Sequence, residues 1–113
     1  MGNRMLLAAI VGISLVGVAQ AFAQSQVEKG QKLFAAQKCS LCHSVAGKGN
    51  PKGPLDAPTL KLSAEDVRQW LAKPEEMRTK TKAERKPVMT SFAKLPKDDV
   101  DALVAYVLSL QKK

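Results

Sequence analysis

Aromatic residues and histidine are scarce in this chain of 113 residues. Aromatic side chains make up 4 % of the sequence, which excludes a large core of aromatic rings. A single histidine is present, so any site that needs two imidazoles is excluded. The length corresponds to one domain and leaves no room for separate cofactor and substrate domains. Strand-like alternation of apolar and polar residues is also missing, so an all-α fold is expected.

The first 23 residues have the layout of a secretory signal peptide. Arg4 gives a positive start, Leu6–Val18 is apolar, and Ala21-Phe22-Ala23 forms an A-x-A cleavage site. We therefore predict that the segment 1–23 is removed on export and that residues 24–113 form the mature domain. The alternative is an uncleaved N-terminal membrane anchor, because the whole apolar stretch, Met5–Ala23, is long enough to cross a bilayer if Ser14 and Gln20 are tolerated.

Both cysteines lie in the motif Cys39-Ser40-Leu41-Cys42-His43. A disulfide across this spacing would close a tiny loop and add little stability. Zinc usually takes four ligands, and the motif supplies three. A dithiol redox switch is typical of a βαβ context, which is not visible here. The motif C-x-x-C-H indicates covalent haem attachment, with Cys39 and Cys42 bonded to the porphyrin vinyl groups and His43 on the iron. We therefore predict one covalent haem c.

The second axial ligand of such a haem has to be something other than histidine. A methionine thioether is the remaining strong ligand, and it raises the reduction potential. After removal of the predicted signal, Met77 and Met89 are the methionines left. Met89 lies in a proline-containing loop between two predicted helices and is the preferred ligand. Met77, lysine ligation and an open iron position remain alternatives.

Apolar spacing and end signals predict the helices. Ser25 and Glu28 have the form of a capping box that would start a helix over 26–38. A second capping box at Ser63 would start a helix that Pro74 ends.

Two further stretches complete the pattern. Residues 44–61 are dense in glycine and proline and predict a loop. Glu75-Glu76-Met77 would form one further helical turn. The last helix would begin near Asp98, with acidic residues in its first turn and Lys112 and Lys113 at its end, as the helix dipole favours.

With the motif, the helices and the methionine in this order, residues 24–113 resemble the small monohaem class I cytochromes c of the bacterial periplasmic type. The resemblance is carried by Gly30 and Phe34, the haem motif, Gly53-Pro54-Leu55, Trp70, Pro87-Val88-Met89 and Val104-Ala105-Tyr106. It implies a cytochrome c fold in which three to four helices surround one haem and the N- and C-terminal helices cross tightly. Gly30, Phe34 and Tyr106 would lie at that crossing.

The resemblance also implies roles for individual residues. The carbonyl of Pro54 would accept a hydrogen bond from His43 Nδ1 and fix its tautomer. Trp70 would reach a haem propionate, although an ordinary core tryptophan is the alternative. The implied function is that of a periplasmic one-electron carrier with His43 and Met89 as axial ligands, and not of an enzyme.

The charge balance predicts the partners. The net charge of +8, which becomes +7 when Arg4 leaves with the predicted signal, favours acidic-surfaced redox proteins, such as a reductase, an oxidase or a dehydrogenase, and not nucleic acid in an exported protein. A transient membrane-surface contact stays open for the basic run 78–86, and a monomer is expected. Lysines flank the haem-binding segments at Lys38, Lys48, Lys52, Lys86 and Lys94. Alternative functions are a five-coordinate haem protein for a small gas or peroxide, and the haem subunit of a larger dehydrogenase or oxidase.

Overall fold

The computed structural model describes residues 7–111 and consists mainly of helices. The four helices are α1 (Leu7–Ala36), α2 (Ala64–Ala72), α3 (Pro74–Thr81) and α4 (Lys97–Leu110). A short 3-10 helix, Cys39–Leu41, follows α1. The all-α prediction is confirmed. The predicted positive start at Met1–Arg4 and the two final lysines lie outside the described residues.

A small hairpin is the one departure from helix and loop in the described part of the chain. Its strands are β1 (Ser44–Val45) and β2 (Lys48–Gly49), which pair antiparallel with Ser44 opposite Gly49. The sequence predicted only loop here, because strands of two residues are too short to produce an alternating pattern. Gly47 and Gly49 both have positive φ values, 77° and 107°, which glycine adopts readily in such a turn.

Helix α1 begins well before its predicted start. It is continuous from Leu7, so Ser25 lies inside it and the predicted capping box with Glu28 is wrong. The physical reason is local, since the residues from Val18 to Ser25 include neither glycine nor proline to interrupt the backbone hydrogen bonds. Within residues 7–111, no helix combines the length and apolar character that crossing a bilayer requires. Cleavage after Ala23 stays a prediction.

Helices α1 and α4 cross at very short range. At Gly30, a Cβ atom would collide with the Ala102 carbonyl and lie 2.6 Å from Tyr106 Cβ. One turn further along α1, the Phe34 ring meets the Tyr106 ring edge-on, with centroids 5.6 Å apart and an angle of 62° between the planes. This is the tight crossing that the resemblance implied, and glycine is what allows the backbones to approach so closely.

Helix α2 begins as the sequence predicts. The Ser63 hydroxyl accepts a hydrogen bond from the Asp66 amide at 3.1 Å, and the Asp66 carboxylate accepts one from the Ser63 amide at 3.0 Å. This reciprocal pair confirms the predicted capping box. The apolar face of α2 packs against α4, and the buried cluster they form contains Val67, Leu71, Leu103, Val104 and Val107.

Helix α3 and the segment after it are both attached to the C-terminal end of α2. Pro74 ends α2 as predicted but also opens α3, where its missing N–H is tolerated. α3 is longer than the single turn predicted for this stretch and buries Met77. Beyond it, the Phe92 amide donates to the Leu71 carbonyl at 2.7 Å and Ser91 Oγ donates to Ala72, so the loop that carries Met89 is tied to the end of α2.

Candidate functional site

A mostly apolar cavity of about 450 Å³ lies between the 3-10 helix, α2, α4 and the loop after α3. All the predicted site residues line it, namely Cys39, Cys42, His43, Pro54, Trp70 and Met89. Its apolar walls come from Phe34, Leu55, Leu60, Leu62, Val67, Leu71, Leu103 and Val107. Segments far apart in the sequence therefore converge on one space.

The two cysteines face this cavity as free thiols. The 3-10 turn brings them together, since the amides of Cys42 and His43 both donate to the Cys39 carbonyl, at 3.1 and 2.9 Å. Burial raises the pKa of the Cys39 thiol, and the charge of Cys42 adds to this, while a hydrogen bond from the Cys39 backbone acts in the opposite direction. A raised pKa is the reverse of what a reactive dithiol switch needs.

His43 donates from Nδ1 to the carbonyl of Gly53 at 3.1 Å, so the predicted acceptor, Pro54, is wrong by one residue. The backbone pairing explains the difference. Ser44 donates to the Gly53 carbonyl at 3.0 Å, and Leu55 donates to the Ser44 carbonyl at 2.9 Å. Successive carbonyls of a paired extended segment point to opposite sides, so the Pro54 carbonyl points away from the imidazole.

The hydrogen bond to Gly53 determines which nitrogen of His43 is free. A carbonyl accepts and never donates, so Nδ1 carries a proton, and in the neutral ring Nε2 keeps its lone pair. Burial lowers the pKa of His43, the hydrogen bond to Gly53 opposes this shift, and the charge of Arg85 adds to it. A neutral imidazole with a free Nε2 is the form that binds a metal.

Two arginines line the cavity although the sequence did not predict them as site residues. Arg78 and Arg85 belong to the basic run that the sequence suggested for a membrane surface, yet both line the cavity. Arg78 Nε is buried with no hydrogen-bond partner among the described residues, and Arg85 Nη2 donates to the Cys42 carbonyl. With Lys52 they make the cavity lining cationic, and no Asp or Glu is part of that lining. A charge run by itself does not reveal which of its members turn inward.

The two candidate methionines occupy different surroundings. Met89 is half-buried and lines the cavity together with His43. Met77 is buried, with 5 % of its surface exposed, and does not belong to the cavity lining. The structure therefore separates them into a cavity residue and a core residue.

A family model described as Cytochrome c matches residues 27–111. The chain belongs to the cytochrome c family. Over 97 residues it is also 25 % identical to the protein named Cytochrome c oxidase subunit 2 from Alkalihalophilus pseudofirmus, covering 78 % of this chain and 27 % of that protein. No solved structure matches. The chain thus spans about a quarter of the length of that relative.

Proteins of this family bind haem c covalently, and the cavity of this chain fits that group. Two free thiols and an imidazole line the cavity, and its apolar walls suit a porphyrin. Arg78, whose buried Nε has no partner among residues 7–111, suits a carboxylate. Zinc finds no such fit, because residues 7–111 contain no group of three His, Cys, Asp or Glu side chains able to hold a metal ion.

Proposed function

We propose that this cytochrome c is a periplasmic one-electron carrier whose haem is attached through Cys39 and Cys42, with His43 and Met89 as axial ligands. The observation that carries the proposal is the shared cavity, which His43 and Met89 both line and Met77 does not. The haem iron supplies the chemistry by gaining and losing one electron.

The residues around the cavity have separate tasks in this proposal. Gly53 holds the His43 ring through Nδ1 so that Nε2 is presented to the metal. Met89 would hold the iron together with His43, and its thioether would raise the potential and leave no open position for a substrate. The leucine and valine walls exclude water from the metal. Arg78, with its unpartnered Nε, is the cation available to a haem carboxylate.

Charge supports a role in encounters with acidic redox partners. The net charge is +8, and the five lysines that flank the haem-binding segments are all exposed. Leu41, inside the haem motif, is 70 % exposed and adds an apolar contact point beside the thiols. We expect association that is fast at low ionic strength and slows as salt screens the charges.

A second candidate function is that of a haem subunit in a larger oxidase. It is favoured by the match to a protein whose printed name is Cytochrome c oxidase subunit 2, of which this chain covers 27 %. Purification of the chain from its native membrane and soluble fractions separates the two functions. A free carrier elutes alone at its monomer size, whereas a subunit co-purifies with other chains in a fixed ratio.

The axial ligation is tested by the same substitution at both methionines. Met89→Leu removes a thioether from the cavity wall, and Met77→Leu removes one from the core while nearly conserving volume. We expect Met89→Leu to lose the weak long-wavelength Met-to-iron band of the oxidised protein and to bind carbon monoxide when reduced. Met77→Leu should keep the parent spectrum and exclude carbon monoxide.

The parent protein decides between the carrier and its alternatives. A c-type reduced spectrum that survives denaturation, with no shift under carbon monoxide, supports the carrier. Immediate binding of carbon monoxide by the parent would instead favour the five-coordinate protein for a small gas or peroxide. Loss of the Met-to-iron band in Met77→Leu, with the band kept in Met89→Leu, would transfer the ligand role to Met77.

A further inference from the structure

Arg85 occupies an unusual position behind the haem motif. Its side chain is half-buried, and Nη2 donates to the carbonyl of Cys42, directly before His43. Nη1 lies against Gly53, in the space that a Cβ atom at that position would fill. Any side chain at residue 53 would therefore displace the guanidinium, the Cys42 carbonyl or both.

The same contacts connect Arg85 to the histidine. Gly53 accepts hydrogen bonds from His43 Nδ1 at 3.1 Å and from the Ser44 amide at 3.0 Å. The guanidinium thus touches both residues that bracket the imidazole, Cys42 in front of it in the chain and Gly53 on its Nδ1 side. These two contacts place the positive charge of the guanidinium beside the imidazole.

The charge of Arg85 has no anionic partner within the described residues. None of the ion pairs found there includes Arg85, and the cavity lining contains no carboxylate. Arg78, with its unpartnered Nε, is the arginine available to a haem carboxylate, whereas Arg85 is already engaged with Cys42. An arginine stays charged at every pH the protein experiences.

We propose that Arg85 is a positioning residue that clamps Cys42 to Gly53 and holds a fixed positive charge beside His43, and thereby raises the reduction potential. The inference rests on the proposed function, since it takes His43 as an iron ligand. A nearby cation opposes the extra positive charge of the oxidised iron and so favours the reduced form. Partial burial keeps that interaction from being screened as a surface charge would be.

The test compares midpoint potentials of haem-loaded Arg85→Gln, Arg85→Lys and Lys86→Gln proteins. Lys86→Gln is the matched control, because it removes one positive charge from the neighbouring, exposed residue. We expect Arg85→Gln to lower the potential by more than Lys86→Gln does. Arg85→Lys keeps the charge and should stay within the shift of the control. Both Arg85 variants lose the two-pronged contact, so the His43 Nδ1 proton should exchange faster with solvent than in the parent.

Several outcomes overturn the proposal. One is an Arg85→Gln potential that shifts no more than the control. If Arg85→Gln does not retain haem, Arg85→Lys decides, and a potential outside the control shift refutes the fixed charge. An unchanged exchange rate of the His43 proton in both variants refutes the clamp. Failure of the proposed function is seen separately, in the spectrum and carbon monoxide binding of the parent protein.

Discussion

Replacing Gly30 with alanine tests the closest contact in the fold. The added Cβ would lie 2.6 Å from Tyr106 Cβ and would also meet the backbone carbonyl of Ala102. Carbon atoms pack at about 3.5–4.0 Å, so α1 and α4 would have to separate by roughly 1 Å. Because one of the obstructing atoms belongs to the backbone of α4, a change of side-chain rotamer does not relieve the clash.

The magnitude follows from two opposing effects. Forcing an extra methyl group into a well-packed contact costs about 1–3 kcal/mol. Alanine in place of glycine returns about 1 kcal/mol through helix propensity. Because the clash involves the backbone of α4, we expect a cost in the upper part of that range, about 2–3 kcal/mol, and therefore a net loss of about 1–2 kcal/mol in the free energy of unfolding. For a domain of this size that corresponds to a fall of about 4–16 °C in Tm.

The assay is thermal unfolding of the haem-loaded Gly30→Ala protein, followed by far-UV circular dichroism. Gln31→Ala is the matched control, since Gln31 is the next residue of the same helix and is exposed. The control should change Tm by little. A Gly30→Ala protein as stable as the parent, or more stable, would refute the argument, because it would mean that the helices are not held at this separation.

Two further predictions concern helix ends and acid stability. Ser63→Ala should lower the free energy of unfolding by about 0.5–2 kcal/mol in denaturant titrations. Ser63→Asp keeps an acceptor for the Asp66 amide, so its free energy of unfolding should stay close to that of the parent. An equal loss in both variants would contradict the role of Ser63 as a cap. Hydrogen bonds from Arg68, and secondarily from Lys97, hold the pKa of Asp101 below its usual value, so the carboxylate stabilises the fold at neutral pH and this contribution disappears as the pH falls below about 4. Asp101→Asn should therefore unfold at a lower Tm than the parent at pH 7 and approach it in acid, and a difference that is independent of pH would refute this reading.

Local signals predicted those features that depend on neighbouring residues. The capping box at Ser63 is present as predicted, because both of its hydrogen bonds join residues three apart. The same signal at Ser25 was misleading, since a cap forms only where the preceding residues leave the helix, and those before Ser25 continue it. A capping motif therefore starts a helix only when the residues before it are not helical themselves.

In the candidate site, too, the sequence predicted what depends on neighbouring residues and did not predict what depends on distant ones. The spacing of Cys39, Cys42 and His43 indicated the cofactor, because attachment depends on residues adjacent in the chain, and the family match supports it. The acceptor for His43 depended on how β1 pairs with the segment around Pro54 through an isolated bridge, and it is the Gly53 carbonyl, one residue before Pro54. Register of an isolated pairing leaves no mark in the sequence.

By itself, the sequence determined the haem motif, the all-α class and the approximate position of the later helices, because each rests on contacts within a few residues. The sequence favoured Met89 over Met77, but only the tertiary structure placed Met89 on the cavity and Met77 in the core, and turned Arg78 and Arg85 toward the cavity. Both outcomes depend on how α3 and the loop after it pack against distant segments. Whether a side chain is buried depends on the packing of the whole molecule. Two residues of the same type in nearby parts of the sequence can therefore lie in the core and in the cavity lining, respectively.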